Sequence, residues 1–146
     1  MKDFQLVRDL GSGSYGVVSL VNLHGNYYAL KQVNKQKVIQ VDKVANVHFE
    51  RDVLSAASNP YFPDFNFTFQ DKQSLFFVME YIPHGALRKY IPKNIGLPIE
   101  LVRAYGAQLV VYLEYLHSEL EVCHRDLKPG NIMIGSNLYL KIVSIT

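Results

Sequence analysis

The chain has 146 residues, a net charge of +2, 49% hydrophobic residues and 19% charged residues. Such a length and composition suit one globular domain with a real core. The small charge gives no support for binding to nucleic acid or to a membrane surface. No apolar run reaches the roughly 18 residues of a membrane span, and the start lacks the apolar stretch of a signal peptide. We therefore expect a cytoplasmic or nuclear protein.

The single cysteine, Cys123, excludes a disulfide within the chain. This composition fits a reducing compartment. We expect Cys123 to be a small buried hydrophobic residue rather than a reactive thiol.

The first third of the chain predicts an antiparallel meander of three strands. Strand-forming segments cover residues 4–10, 17–21 and 27–33, and turn residues stand at 24–26. Residues 35–57 then carry apolar side chains at helical spacing, and Asn59-Pro60 ends this predicted helix. Phenylalanines alternate with polar residues over 65–70, and residues 75–81 form a more uniformly apolar strand.

The segment 83–85, Pro-His-Gly, marks a predicted boundary between a first lobe of residues 1–82 and a second of residues 83–146. Residues 98–117 predict a strong helix that is apolar on nearly all faces, which requires burial on most sides. The roughly thirty residues that follow, with a hairpin turning at 135–137, are too few to cover it. A bare surface of this kind predicts docking on another chain or on a chaperone.

A glycine-rich loop joins the first two predicted strands. It has the pattern G-x-G-x-x-G-x-V and runs from Gly11 to Val18. Glycines let a backbone come close to phosphates, although a simple glycine-rich hairpin turn has the same composition. A dinucleotide-binding loop needs a helix directly after the third glycine. A β-branched run follows here instead, which favours the loop of protein kinases.

A lysine and a glutamate follow this loop at a characteristic distance. Lys31 lies on the third predicted strand, from which it can reach phosphates, and Glu50 lies on the next helix, where it can fix the lysine stem. Taken alone, a strand lysine and a helix glutamate are much more often solvated surface charges. Their order after the glycine loop favours a nucleotide site.

The segment 124–131, His-Arg-Asp-Leu-Lys-Pro-Gly-Asn, is the most specific motif in the chain. Its spacing predicts Asp126 as the base for a substrate hydroxyl and Asn131 as a ligand of Mg²⁺. Lys128 would neutralise charge on a transferred phosphoryl group. The alternative is a charged turn between a helix and a strand.

From residue 4 to residue 142 the chain resembles serine/threonine protein kinases of the AGC group, and within it the cAMP-dependent kinases. Beyond the motifs above, the resemblance includes the segments 75–83, LFFVMEYIP, and 113–118, LEYLHS. It implies an α+β protein-kinase-like fold. The first lobe would hold five antiparallel strands and one main helix, and only the first part of the helical second lobe would be present.

The resemblance also implies the site. ATP and Mg²⁺ would be the cofactors, bound between the lobes, and the partners would be a protein substrate and a regulatory subunit or chaperone. The catalytic set would be Asp126, Lys128, Lys31 and Glu50, with Asn131 as metal ligand. The nucleotide would be bound by Leu10, Gly11, Ser12, Gly13, Ser14, Tyr15, Gly16, Val18, Ala29, Lys31, Met79, Glu80, Ile82 and Met133.

The sequence departs from the family pattern near its last residue. Ser144, Ile145 and Thr146 stand where the family has Asp-Phe-Gly, whose aspartate binds metal and phosphates. A neutral serine supplies no such charge, and we expect impaired phosphotransfer. Gly130 and Ala86 replace glutamates that recognise basic substrate residues in the cAMP-dependent group.

Three hypotheses follow. The chain is a serine/threonine kinase by lineage, impaired as a truncated chain; it is a non-catalytic nucleotide-binding pseudokinase or decoy; or it is an unrelated adaptor with chance motifs.

Overall fold

The computed structural model describes residues 3–13 and 15–145, which form two compact units. One unit comprises residues 1–51 and 64–81, and the other comprises residues 52–63 and 82–146. Each unit has its own sheet. The lobe boundary after residue 82 stays a prediction.

The first unit is built on a five-stranded antiparallel sheet. Its strands are β1 (Gln5–Gly13), β2 (Gly16–Leu23), β3 (Asn26–Asn34), β4 (Phe65–Gln70) and β5 (Ser74–Glu80), in the order β1-β2-β3-β5-β4. The predicted meander and the two later strands are therefore confirmed. β5 is buried along most of its length, as its uniformly apolar sequence predicts.

The core of this sheet is apolar and partly aromatic. Val21, Leu30, Phe76 and Val78 are buried together, and partly buried aromatic residues pack against them. Phe69 stacks on Phe76 with ring centroids 4.6 Å apart. Adjacent strands supply these side chains, and the consecutive buried residues of β5 show that this strand is covered on both of its faces.

The single helix predicted over residues 35–57 is wrong. The structure forms α1 (Lys35–Gln40) and α2 (Val44–Ala56). Asn34 caps α1 by accepting a hydrogen bond from the Lys37 amide. At its other end Asp42 has φ 51°, and the Lys43 amide donates to the Val38 carbonyl. A left-handed residue with a bond of this kind ends a helix. Asp42 therefore separates α1 from α2 although the segment contains no proline or glycine.

The second unit contains α3 (Ile99–Ser118), a 3-10 helix (Leu87–Tyr90) and a hairpin of β6 (Ile132–Ile134) with β7 (Leu140–Ile142). The predicted long helix and terminal hairpin are confirmed. Of the α3 side chains, Tyr112 and Leu116 are buried. Val110 is 64% exposed and Val111 47% exposed. The described chain thus leaves much of the apolar surface of α3 uncovered, as the sequence predicts.

Cys123 is exposed, which corrects the expectation of a buried thiol. It lies in the extended segment after α3, where burial alternates. Val122 and His124 are buried on one side, and Cys123 and Arg125 are exposed on the other. The position in this alternation, rather than the residue type, decides its exposure.

No helix among the described residues is both long enough and apolar enough to cross a lipid bilayer.

Candidate functional site

The glycine loop forms the hairpin between β1 and β2. Gly13 pairs with Gly16 and Gly11 pairs with Val18, which brings the predicted residues Leu10, Ser12 and Tyr15 onto the same hairpin. The Tyr15 carbonyl accepts a hydrogen bond of 2.9 Å from the Asn34 amide, which ties the turn to the end of β3. The predicted site residue Ser14 lies outside the described residues.

Lys31 and Glu50 form a two-pronged ion pair in the first unit. The Lys31 Nζ lies 2.7 Å from Glu50 Oε1 and 2.6 Å from Oε2. The Glu50 side chain is 9% exposed and that of Lys31 24% exposed. On β3, Lys31 pairs with Val18 of β2 and with Phe77 of β5. Its Nζ lies 5.8 Å from the centre of the Phe77 ring. The predicted pairing of the two residues is therefore found.

The residues predicted to contact the base lie on neighbouring strands. Ala29 on β3 pairs with Met79 on β5, and Val18 on β2 pairs with Lys31. Met79 is buried, whereas Val18 and Ala29 are half-buried. Glu80 ends β5, and its backbone amide donates to the Asp64 carbonyl at 2.8 Å. The strand register thus brings the first-unit members of the predicted set close to the lysine.

Three residues of the 124–131 motif form a compact polar cluster in the second unit. Lys128 Nζ lies 2.9 Å from Asp126 Oδ1 and 2.7 Å from Oδ2. The Asn131 amide nitrogen donates to the Asp126 carbonyl at 2.8 Å and to Oδ2 at 2.9 Å. The Asn131 backbone amide donates to the Lys128 carbonyl. Residues 126, 128 and 131 are thus brought together as the motif predicts.

The electrostatics of this cluster favour an ionised aspartate. Hydrogen bonds from Lys128 and then from Asn131 hold the pKa of the Asp126 carboxyl below its ordinary value of 3.8. His124, which is buried, has its pKa lowered by loss of solvent, so its neutral form is favoured. Its Nδ1 accepts a hydrogen bond from the Asp126 backbone amide at 3.2 Å. This bond helps to orient the loop.

Ile82 and Met133 belong to the second unit. Ile82 is buried, and its carbonyl accepts a hydrogen bond from the Gly85 amide at 3.3 Å. Met133 on β6 is half-buried and forms an isolated bridge with Ala86. The structure thus forms two groups of predicted site residues, one in each unit.

Ser144 follows β7 with a left-handed backbone, φ 67°. Its neighbours fix this conformation. The Val143 amide donates to the Asn131 carbonyl at 2.9 Å, and Ile145 is 1% exposed. The predicted counterpart of the family glycine, Thr146, lies outside the described residues.

The residues of the second unit do not fit a strongly bound Mg²⁺ ion. Mg²⁺ is usually held by one or two carboxylates together with phosphate oxygens. Asn131 offers a neutral amide oxygen, Ser144 is neutral, and both Asp126 oxygens accept bonds from Lys128 or Asn131. Across residues 3–13 and 15–145, no cluster of three or more histidine, cysteine or acidic residues could hold a metal.

Sequence reasoning missed a cavity of about 390 Å³ in the first unit. It lies among α1, α2, β4 and β5 and contains none of the residues predicted for the nucleotide. Its lining includes Val38, Val47, Arg51, Gln70 and Phe76. Residues of both α1 and α2 line the cavity, so its shape depends on the break between these helices. Apolar spacing in the sequence gives only a weak signal for such a cavity, because it does not predict this break.

Comparisons with known proteins show which family the chain is similar to. The family model for the protein kinase domain matches residues 4–144. Yeast (Saccharomyces cerevisiae) cAMP-dependent protein kinase type 3 is 40% identical over 97% of this chain and 36% of its own length. Human 3-phosphoinositide-dependent protein kinase 1 is 38% identical over 97% of this chain and 26% of its own length.

A further relative is the cAMP-dependent protein kinase catalytic subunit of Dictyostelium discoideum. It is 32% identical over 97% of this chain and 22% of its own length. The chain therefore spans about a third or less of the length of these relatives. Because the family model covers nearly every residue and the relatives are kinases of the AGC group, this chain belongs to the protein kinase family and resembles the serine/threonine kinases of that group.

Proposed function

We propose that the chain binds ATP and is a serine/threonine protein kinase by descent, with phosphoryl transfer to a protein hydroxyl strongly reduced. The observation that carries the proposal is the Lys31–Glu50 ion pair, with both carboxylate oxygens within 2.7 Å of the lysine nitrogen. A lysine held in this way offers a fixed positive charge to nucleotide phosphates. The activity, substrates and partners of the whole protein are part of this proposal.

Asp126 and its partners supply the catalytic part of the proposal. Its ionised carboxylate can accept the proton of a substrate hydroxyl as the oxygen attacks phosphorus. Lys128 can balance the negative charge of the transferred group, since its ammonium already lies beside that carboxylate. A lysine two residues after the aspartate supports serine and threonine, rather than tyrosine, as the acceptor residues.

The reduced rate in the proposal comes from Ser144. A metal supplies several kcal/mol of stabilisation to a transferred phosphoryl group, and each ~1.4 kcal/mol changes a rate about tenfold. Without a carboxylate at position 144, we expect transfer to be slower by orders of magnitude than in a kinase that has one.

A transfer assay with radiolabelled ATP and a generic serine/threonine peptide tests this activity. We expect a weak signal above the matched control Asp126→Asn, which keeps the shape of the side chain and removes its charge. A signal equal to that of the control would reject catalysis by this chain. A signal as strong as that of an active kinase would reject the assigned effect of Ser144.

A second candidate is a non-catalytic nucleotide-binding protein that acts on kinase partners, and Ser144 is the observation that favours it. A thermal-shift titration with ATP separates nucleotide binding from transfer. A stabilising shift together with no transfer would support this candidate. No shift at millimolar ATP would exclude nucleotide binding in either form. A protein substrate or regulatory subunit, and a cytoplasmic or nuclear location, belong to the proposal as well.

A further inference from the structure

We infer that the buried imidazole of His124 positions Asp126 only while it is neutral, and that its protonation opens the turn of residues 124–126. All three residues lie in the second unit, so the inference needs nothing from the first. The consequence for phosphoryl transfer rests on the function proposed above, whereas the opening of the turn can be measured without nucleotide. A strained backbone, a shared hydrogen bond and the burial of the ring carry the inference.

The turn at Arg125 has a strained backbone. The Asp126 amide donates to the His124 carbonyl at 2.9 Å, two residues earlier, and Arg125 between them has φ 61°. A three-residue turn with this bond and a positive φ at its centre is rare. For a residue other than glycine it persists only where the surroundings hold it. The Arg125 side chain is exposed, so it adds no buried contact of its own.

The His124 side chain supports this turn through one ring nitrogen. Nδ1 lies 3.2 Å from the Asp126 amide nitrogen, so the amide hydrogen is shared between the His124 carbonyl and the His124 ring. Because Nδ1 accepts, the proton of the neutral ring lies on Nε2. The residue is only 3% exposed, and its burial holds the acceptor in place. A single neutral tautomer of His124 therefore fits the turn.

A protonated His124 ring does not fit the same position. Its Nδ1 would carry a hydrogen directed at the Asp126 amide, which is itself a donor. Its Nε2 hydrogen has no acceptor among residues 3–13 and 15–145. Burying a cation without an acceptor is strongly disfavoured, so the charged ring has to turn or move toward water. Either movement removes the second acceptor that supports the strained turn.

The groups around the ring do not offset the cost of its burial. Tyr112 of α3 contacts the ring edge-on, with ring centres 6.0 Å apart, and burial raises the pKa of this tyrosine, so it stays neutral. Burial lowers the pKa of His124 below its ordinary value of 6.5, and this effect exceeds the opposing effects of the Asp126 charge and a backbone hydrogen bond. In an open turn the ring reaches water and its pKa returns toward 6.5. Opening is therefore favoured increasingly as the pH falls below 6.5.

Amide hydrogen exchange followed by NMR tests the inference on the 146-residue chain without nucleotide. We expect the protection factor of the Asp126 amide, which is corrected for intrinsic exchange, to be about threefold to tenfold lower at pH 5.5 than at pH 7.5. The Ile134 amide, which donates to the Gly85 carbonyl in the same unit, is the internal control and should stay within about twofold. His124→Asn keeps an acceptor oxygen near the position of Nδ1 and does not titrate in this range. Its Asp126 amide should therefore lose the pH dependence.

Long-range proton–nitrogen NMR spectra of the ring identify the protonated nitrogen of His124 at pH 7.5. A proton on Nδ1 would overturn the inference, as would an Asp126 protection factor that stays constant or falls in step with that of Ile134. The same pH dependence in His124→Asn would assign the effect to another group. The comparison of the two amides in the natural chain is decisive even if the variant fails to fold. A chain that binds no ATP would refute the proposed function and leave these results unchanged.

Discussion

A β-carbon added to Gly16 would lie 1.7 Å from the backbone carbonyl oxygen of Gln32 and 2.8 Å from its carbonyl carbon. Gly16 is the last glycine of the loop and the first residue of β2, which pairs with β3. A side chain at this position would clash with β3, so the pairing of β2 with β3 requires glycine here. The other two glycines of the loop have no atom within 4 Å of an added β-carbon.

This difference predicts unequal costs for alanine substitutions. Gly16→Ala forces a backbone shift in β2 or β3, and we expect the free energy of unfolding to fall by about 1–3 kcal/mol. The matched control Gly11→Ala should change it by less than about 0.5 kcal/mol. Urea denaturation followed by circular dichroism measures both. Equal losses for the two variants would show that the close approach of Gly16 to Gln32 is not the cause.

The Lys31–Glu50 pair predicts a combined effect on stability and binding. Glu50→Gln leaves the ammonium of Lys31 without its charged partner in a largely buried position. We expect the free energy of unfolding to fall by about 1–3 kcal/mol and ATP affinity to fall about tenfold, because the lysine stem is no longer fixed.

Glu119→Gln is the control for this variant, since Glu119 is exposed at the end of α3. Thermal unfolding and ATP titration measure the two variants side by side. An affinity for Glu50→Gln that matches that of the natural chain would mean that Lys31 does not bind phosphate.

The hydrogen bonds of Asp126 predict its titration. Because its folded-state pKa lies below the ordinary value of 3.8, its contribution to stability is present above that value. This contribution is lost as the pH falls through the lower folded-state pKa. We expect a midpoint below 3.8 by NMR, and Lys128→Met should move it upward.

Asp71 is an internal control for this titration. Its pKa is also lowered, first by hydrogen bonds from the backbone amides of Gln73 and Ser74, and Lys128 is not among the causes. The Asp71 midpoint should therefore stay unchanged in Lys128→Met. A shift of both midpoints would indicate a general change in the fold rather than loss of one hydrogen bond.

Two tyrosines of α3 predict opposite effects of removing a hydroxyl group. The Tyr112 hydroxyl is buried without a hydrogen-bond partner in the described part of the chain, and burial raises its pKa. Tyr112→Phe removes this unsatisfied group, and we expect the free energy of unfolding to rise by up to about 1 kcal/mol. The Tyr115 hydroxyl accepts a hydrogen bond of 2.9 Å from the Ser58 amide. Tyr115→Phe should therefore cost about 1 kcal/mol.

Denaturation by urea compares the two tyrosine variants under the same conditions. A loss of stability in Tyr112→Phe would mean that its hydroxyl has a partner beyond the described residues.

The exposed apolar side chains of α3 predict self-association. Val110 is 64% exposed, and Val111, Leu101 and Val102 are also exposed. Val110→Lys should leave the free energy of unfolding within about 0.5 kcal/mol, because an exposed side chain contributes little. It should also reduce the apparent size measured by light scattering at high concentration. An unchanged size with the same stability would argue against an apolar docking face at this position.

Strong local patterns made most of the fold predictable. Alternating and apolar runs located the five strands of the first sheet, and the apolar spacing in 98–117 located α3 to within one residue at each end. The break between α1 and α2 was missed because it depends on the left-handed backbone of Asp42, for which a helical spacing gives no signal. The exposure of Cys123 was missed because it depends on which side of an extended segment packs on the unit.

The amino-acid sequence by itself determined the family, the order of the chemical groups and the missing charge at Ser144, because these depend only on residue types at fixed spacings. Only the tertiary structure decided that Lys31 meets both oxygens of Glu50 and that the Asp126 oxygens are occupied by Lys128 and Asn131. It alone also decided that Gly16 touches the backbone of Gln32. Such distances depend on how strands and loops pack, and residue spacing along a chain does not specify them.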